Sequence, residues 1–350
     1  MAYGTLSVND LLANQNTIAK IGEDQAFMAI DAALKAHNRI VNEMLTPLVD
    51  YTTDLQRRYG GVDQFTMDEM DEYGTPDVQK IAAGSIVGFP LRLYGGALQW
   101  TRKYFQNATG KEVAEQYVAM EDADRRNTIR LVKKSIFTPT NATFVDRLTN
   151  NAINLFLKAL VNADGAPIPP GPNGEIFDGT THNHYLGTAA FSATDLTTLT
   201  ETVIEHYNIG QCLVYINRAQ EAAIRAFTGF SAYLDARLVP QTGATIGASP
   251  LDQTNLYDRA IGVFGAAEIW VKPWVPANYL FAFMQGAPKP LIMRERNNGS
   301  GTLQLVGDYD EYPLRSRAYE RECGMGVWTR NNGAVLYTGG ASYVSPNITL

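Results

Sequence analysis

The stretch TGKEVAEQYVAMEDADRRNTIRLVKKSIF, Thr109–Phe137, decides how this chain is read, because it is one long uninterrupted helical pattern in a sequence otherwise broken by glycine and proline. Thr109 followed by Glu112 is a capping box, in which the hydroxyl accepts from an early helical N–H and the carboxylate reaches back to the Thr109 amide. Pro139 sets the stop: it disfavours helical dihedrals at Thr138 and has no N–H to continue the ladder. Glu112, Glu115, Glu121, Asp122 and Asp124 fill the first half, and Arg125, Arg126, Arg130, Lys133 and Lys134 the second, so the charges complement the helix dipole. Glu121 with Arg125 and Asp122 with Arg126 stand four apart, acid first, each expected to add about 0.2–0.5 kcal/mol on an exposed face. The apolar stripe is thin: Val113, Tyr117 and Met120, then Ile129, Val132 and Ile136 on a slightly rotated line. The pattern predicts a helix with only one buried side.

The 350 residues suffice for a well-buried core and two substructures. With 45% apolar and 19% charged residues the chain is an ordinary globular protein rather than a disordered one. A net charge of −7 argues against a general nucleic-acid binder driven by counterion release. Cys212 and Cys323 are far apart and lack CxxC spacing, which speaks against a disulfide framework or zinc module and for two buried thiols. The N-terminus has no basic segment running into an apolar one, and no apolar run approaches a membrane span. A reducing, aqueous compartment is expected.

Outward from the long helix, Gly22–Met44 carries Phe27, Ile30, Leu34, Ile40, Val41 and Met44 at near-helical spacing after Glu23 and Asp24, and so predicts an amphipathic helix. The polar lead before it holds too few apolar residues to pack alone and reads as an arm. Between the two helices, Tyr51–Ala83 holds the acidic cluster Asp68, Glu69, Asp71 and Glu72 between glycine breakers. Ser85–Tyr94 is strand-like but broken by Gly88 and Pro90, and Trp100, Tyr104 and Phe105 follow. Some fifty residues with so little core periodicity predict a protruding loop or hairpin that lies on a partner.

After the long helix, Phe144–Leu160 reads as a second helix or broken apolar segment, and Phe177–Leu186 as a polar loop. Thr194–His206 predicts a helix capped by Thr194 or Asp195, followed by a strand at Cys212–Ile216 and a helix at Arg218–Phe227. Tyr233–Tyr257 is a loop without periodicity. Strands are expected at Ile261–Val271, Tyr279–Met284, Lys289–Arg296 with a return at Leu303–Val306, Tyr312–Trp328 and Val335–Thr338. The fold class is α+β.

For chemistry, His182-Asn-His184 with Asp178 close by is the best metal candidate, since alternate residues of a strand offer two imidazoles to one face. No third ligand lies near in sequence. The histidines are therefore read as structural, and no metal and no cofactor is expected. The acidic cluster lacks the spacing of an EF-hand loop. No nucleophile elbow, phosphate loop, HExxH or dinucleotide fingerprint occurs, and no carboxylate pair stands out, so no enzymatic activity is expected.

Several stretches in this order resemble the major capsid proteins of tailed bacteriophages, the group built on the HK97 fold. They are Asp71-Glu-Tyr-Gly74, Val87-Gly-Phe-Pro-Leu-Arg92, the long helix, Gly179-Thr-Thr-His-Asn-His-Tyr185, Asn217-Arg-Ala-Gln-Glu221, Lys289-Pro-Leu-Ile292 and the strand ending in Gly333-Ala-Val-Leu-Tyr-Thr-Gly339. The resemblance implies an N-terminal arm over 1–50, an extended loop (E-loop) over 51–107, and a peripheral (P) domain over 108–192 with its spine helix at 109–137. It further implies an axial (A) domain over 193–286, P-domain return strands over 287–333, and an A-domain closing strand with the C-terminal tail over 334–350.

The implied function is a shell subunit forming hexamers and pentamers of an icosahedral phage head around DNA, held on the inner face without sequence preference. It would be assembled in the bacterial host cytoplasm and found in the virion, with no membrane partner. Portal, scaffolding and decoration proteins are the implied partners. The scaffold is expected to be a separate protein, because Met1 leaves no room for a fused one before the arm helix. Asp68, Glu69, Asp71 and Glu72 are the expected loop-tip contacts to a neighbour's Arg125, Arg126, Arg130, Lys133 and Lys134. Some relatives join a loop lysine to a neighbour's asparagine; with Lys80, Lys103, Asn331 and Asn332 at hand, no such crosslink is expected here. Two alternatives stand beside this reading: an encapsulin-like nanocompartment shell, and a metal-dependent enzyme using His182 and His184.

Overall fold

A computed structural model describes residues 6–59, 67, 69–70, 72–74, 84–148, 152–233 and 258–348. The chain opens with α1 (Val8–Ala13), α2 (Ile18–Ile21) and α3 (Glu23–Leu45). The lead before α3 is not a free arm. Leu11 and Ile18 are buried in one cluster with Phe27, Trp100, Phe105, Val113, Ala114 and Tyr117. The lead also meets backbone needs, since the Asn16 and Asn14 carbonyls accept from the amides of Gly110 (3.0 Å) and Lys111 (3.2 Å), at the start of the long helix. These are donors that a helix cannot satisfy internally. Two apolar side chains and two carbonyls are enough to dock a segment that composition alone left unpacked.

Next come β1 (Val49–Thr52), β2 (Gln56–Tyr59), β3 (Ser85–Gly88), β4 (Arg92–Thr101), α4 (Arg102–Asn107) and the spine helix α5 (Gly110–Phe137). The Thr109–Glu112 capping box forms in full. At the other end, orphan carbonyls are met by tyrosines: the Tyr185 hydroxyl lies 3.2 Å from the Ile136 oxygen and 2.9 Å from that of Thr138, and the Tyr343 hydroxyl donates to Phe137 at 2.7 Å. Along the exposed face the expected spacing of four is replaced by three, with Arg125 pairing Asp122 at 2.7 Å. Glu121 does not pair with Arg125, nor Asp122 with Arg126. Glu121 is half-buried beside Tyr117, where burial raises its pKa against the opposing charge of His37.

The segment 51–107 was expected to lack a core, and its two flanks do not. β1 joins a sheet at one end, and at the other β4 runs antiparallel to a long strand, from Arg92↔Cys323 to Thr101↔Leu314. Trp100, Phe105, Val87 and Phe89 are buried. The β2–β3 hairpin, paired from Gln56↔Gly88 to Tyr59↔Ser85, also packs, with Tyr59 and Val87 buried beside Phe89 and Ile292. The break at Gly88 and Pro90 has a packing cause: a Cβ on Gly88 would stand 2.7 Å from that of Leu155, and one on Gly324 would stand 2.0 Å from the Pro90 oxygen. Only glycine permits such approach.

Beyond the spine lie β5 (Ala142–Asp146) and β6 (Ile153–Leu157), an antiparallel pair where a helix had been one expectation. The apolar run is too short and too alternating to sustain helical packing. Then follow β7 (Tyr185–Gly187), α6 (Ala193–Ile204), β8 (Gln211–Ile216), α7 (Arg218–Arg225), β9 (Phe230–Ala232), β10 (Arg259–Phe264), β11 (Ala267–Val271), β12 (Tyr279–Gln285), β13 (Leu291–Glu295), β14 (Gln304–Glu311), β15 (Leu314–Val327) and β16 (Ala334–Tyr337). The cap of α6 is Ser192, in a capping box with Asp195, rather than Thr194 or Asp195. Of the unpatterned loop at 233–257, residues 234–257 lie outside the described residues.

Two sheets organise the rest. In the first, β15 is central: β14 and then β13 pair along one side, β4 along the other, and β1 lies parallel to β13. The Leu303–Val306 segment thus returns on β15 and not on β13. The second runs β7-β16-β12-β8-β11-β10-β9. One of its faces packs under α6 and α7 through Leu196, Leu199, Val203 and Ile224. Its other face contributes Tyr215, Phe281 and Phe283 to the cluster holding Val132, Ile136 and Phe137 of the spine. Each such fully buried side chain contributes about 1.5–3 kcal/mol.

The buried face of β15 is unusual in being basic. Arg315, Arg317 and Arg321 are 8%, 3% and 1% exposed. Arg315 and Arg317 lie 4.8 Å and 4.4 Å from the ring centre of Phe27, and reach Glu23 at 2.8 Å and Asp31 at 2.9 Å. Arg321 pairs with Asp124 at 3.2 Å. This ladder ties the N-terminal helix α3 and the spine to the first sheet.

Candidate functional site

Of the acidic loop residues, Glu69 and Glu72 are exposed, while Asp68 and Asp71 lie outside the described residues. Around them Met67, Met70 and Tyr73 are 101%, 56% and 82% exposed.

The basic half of the spine divides in two. Arg125 is neutralised by Asp122 and Arg126 is exposed. Arg130, which donates to Asn127 at 2.7 Å, and Lys134 line a cleft of about 290 Å³ with Arg92, Tyr94, Phe144 and Met325. Arg92 lies over Phe144 at 4.6 Å. Lys133 is half-buried, and burial lowers its pKa. Among the described residues, Arg126, Arg130, Lys133 and Lys134 form no ion pair. Among the described residues the spine thus presents basic side chains without carboxylate partners beside a cleft of mixed polar and apolar lining. Arg92 and Phe144 were not foreseen there, since neither belongs to the helix whose charge pattern pointed to the site.

Apart from this cleft, the fold assembles a second constellation. The Nε2 atoms of His182, His184 and His206 stand 3.0, 3.1 and 3.1 Å from one another. A Glu205 carboxylate oxygen lies 3.4 Å from His182 Nε2 and 3.9 Å from His206 Nε2. The loop bearing the first two is pinned: the Ala163 amide donates to the His182 oxygen (3.0 Å), the His184 amide to Val161 (2.9 Å), and the Val335 amide to the His184 oxygen (2.8 Å). Glu205 and His206 end α6. Phe177 covers one flank, its ring centre 4.9 Å from that of His182 and 4.2 Å from that of His206. Burial holds His184 well below the ordinary imidazole range and pushes His206 down to about 3. The third and fourth members missing from the local sequence are thus supplied by a helix end about twenty residues on.

Cys212 and Cys323 are both buried, and burial pushes each thiol up to about 12, far from a reactive thiolate. No described helix is long and apolar enough to cross a membrane.

No protein-family model and no curated protein matches the chain. Among solved structures it is similar to a chain from Mycobacterium phage Patience, at 22% identity and a TM-score of 0.67, covering 99% of this chain and 97% of that one. It also aligns with the capsid of the Cyanophage P-SCSP1u at 11% identity and a TM-score of 0.47, over 84% and 87% of the two chains. A third alignment is with the holo-SrpI encapsulin complex from Synechococcus elongatus PCC 7942, at 13% identity and a TM-score of 0.42, over 87% and 90%. The first likeness shows a shared α+β fold from end to end.

Proposed function

We propose that this chain is the major capsid protein of a tailed bacteriophage, a structural and non-enzymatic protein that assembles through hexamers and pentamers into an icosahedral head around DNA. The observation that supports this reading is the end-to-end fold shared with a phage chain, at a TM-score of 0.67. The fold is read as HK97-like, with the arm at 1–50, E-loop at 51–107, P-domain at 108–192 and 287–333, and A-domain at 193–286 and 334–350. The part of the E-loop that reaches a neighbour is the stretch beyond β2 and β3, because β4 is already committed to β15.

Assembly in this reading is mechanical. Met67, Met70 and Tyr73 bring apolar area, and Glu69 and Glu72, with Asp68 and Asp71, bring negative charge to a neighbour's cleft edged by Arg92, Arg130 and Lys134. Single exposed pairs are worth about 0–1 kcal/mol, yet a closed shell repeats each one over every subunit. A net charge of −7 suits a wall that encloses DNA without gripping it. Portal, scaffolding and decoration proteins are partners that come with this function, as does a place in the virion after assembly in the host cytoplasm.

Deletion of Thr66–Ala83 tests the intersubunit role. The shortened chain should keep near-native circular dichroism and form no shells. Unfolding would mean that the loop belongs to the core, and intact shells would mean that it does not join subunits.

A further inference from the structure

We propose that His182, His184, His206 and Glu205 bind one divalent transition-metal ion, zinc by its preference for tetrahedral nitrogen and oxygen ligands, and that this ion fastens the 178–187 loop to the end of α6. The inference is independent of the capsid reading.

The argument starts from protons. His184 Nδ1 lies 2.7 Å from the Gly333 carbonyl oxygen, which can only accept, so Nδ1 carries the hydrogen. In a neutral ring, Nε2 is then a bare lone pair. Three mutual Nε2 contacts of 3.0–3.1 Å therefore have at most two hydrogens to share while the rings are neutral. At least one contact sets like against like, lone pair against lone pair with one hydrogen or N–H against N–H with two. Charging a ring would relieve it, but His184 and His206 are 0% and 5% exposed, and an imidazolium there would lose its hydration. A cation at the centre resolves all three contacts at once.

The dimensions fit. Ligands about 2.0–2.1 Å from a tetrahedral zinc stand roughly 3.3–3.4 Å apart. The nitrogen triangle needs to open by only a few tenths of an ångström, and the Glu205 oxygen, 3.4 Å from His182 Nε2, 3.9 Å from His206 Nε2 and within 4.8 Å of the whole group, becomes the fourth ligand by a shift of its side chain towards the centre. The Nδ1–H bond from His184 to Gly333 is the outer-shell contact that fixes tautomer and ring orientation in protein metal sites. The nearby Arg330 is neutralised by Asp164 at 3.1 Å. Half-exposed His182 and Glu205 leave a path for entry. With four protein ligands the site is closed, which makes it structural rather than catalytic.

Its place gives it a purpose. The residue after His184 is Tyr185, whose hydroxyl meets the last carbonyls of the spine, while His206 closes the helix that covers the second sheet. An ion there locks the spine end to that sheet.

The test is metal analysis and zinc titration of the full-length protein against a chromophoric chelator, repeated on His182→Ala and His206→Ala, with cobalt as a spectroscopic probe. One zinc per chain, tetrahedral cobalt bands, and a lower melting temperature after chelation are expected. Each substitution should weaken zinc by more than the roughly 10–100-fold typical of losing an outer-shell partner. Should His206→Ala fail to fold, His182→Ala, at a half-exposed ligand, still decides. A wild-type protein that neither carries nor takes up zinc overturns the proposal, as does undiminished zinc binding by a folded His182→Ala variant.

Discussion

His37 Nε2 stands 2.8 Å from Oδ2 of Asp124, joining the N-terminal helix to the middle of the spine at a point where both side chains are nearly sealed from water. Asp124 also faces Arg321 at 3.2 Å, so one carboxylate holds two elements against the third. Replacing Asp124 by Ala leaves the Arg321 guanidinium buried without its counter-charge. A loss of about 3–5 kcal/mol is expected from breaking such a pair on one side. Denaturant unfolding of the unassembled subunit measures it, and a loss below about 1 kcal/mol, the range of an exposed pair, would contradict the role given to this contact.

A pH signature is expected from Asp164, which accepts from Lys158 at 2.6 Å and faces Arg330. Burial alone would raise its pKa, but the Lys158 hydrogen bond, the Arg330 charge and the Asn141 hydrogen bond outweigh it and hold the carboxyl well below its usual range. A carboxyl depressed in the folded state stabilises fully above its unfolded value of about 3.9, and that contribution fades as pH falls below it. The stability gap between wild type and Asp164→Asn should therefore be widest near neutrality and narrow below about pH 4. A gap that stays constant into acid would refute the assignment.

Covalent linkage between subunits is not expected. Asn332 is fully buried: its Oδ1 accepts from the Met284 amide at 2.7 Å, and its Nδ2 donates to the oxygens of Met284 (3.1 Å) and Pro288 (2.7 Å). Asn331 Oδ1 is held by the Tyr207 hydroxyl at 2.8 Å and that of Tyr59 at 3.3 Å. Neither amide is open to an incoming amine. Lys103 is exposed on α4, and Lys80 lies outside the described residues. Boiled particles should run as one monomer band in denaturing gels, and a ladder of multimers would contradict this.

What could be read from the sequence was what local physics decides. The spine announced itself through Thr109, Glu112 and Pro139, because caps and stops act within four residues. The 153–157 strand was ambiguous because a short apolar run serves helix and strand alike. The arginines at 315, 317 and 321 alternate as a half-buried strand requires, but which face is buried is not written in the strand itself. Asp308 on the adjacent strand meets Arg315 and Arg317, and the remaining counter-charges, Glu23, Asp31 and Asp124, come from about two to three hundred residues away. The same distance effect hid the histidine cluster: His182 and His184 were visible as a pair, and His206 joined them only when α6 folded back. The charged residues of the spine were legible as a pattern, but which of them remain unpaired depended on Asp122 choosing Arg125.

The proposed shell-building role of this fold is tested most directly by electron microscopy of the purified wild-type protein expressed with its neighbouring phage proteins. Closed icosahedral shells, or tubes and capsomers where a partner is missing, are the expected result. A stable, well-folded monomer at high concentration with the scaffold present would contradict the claim.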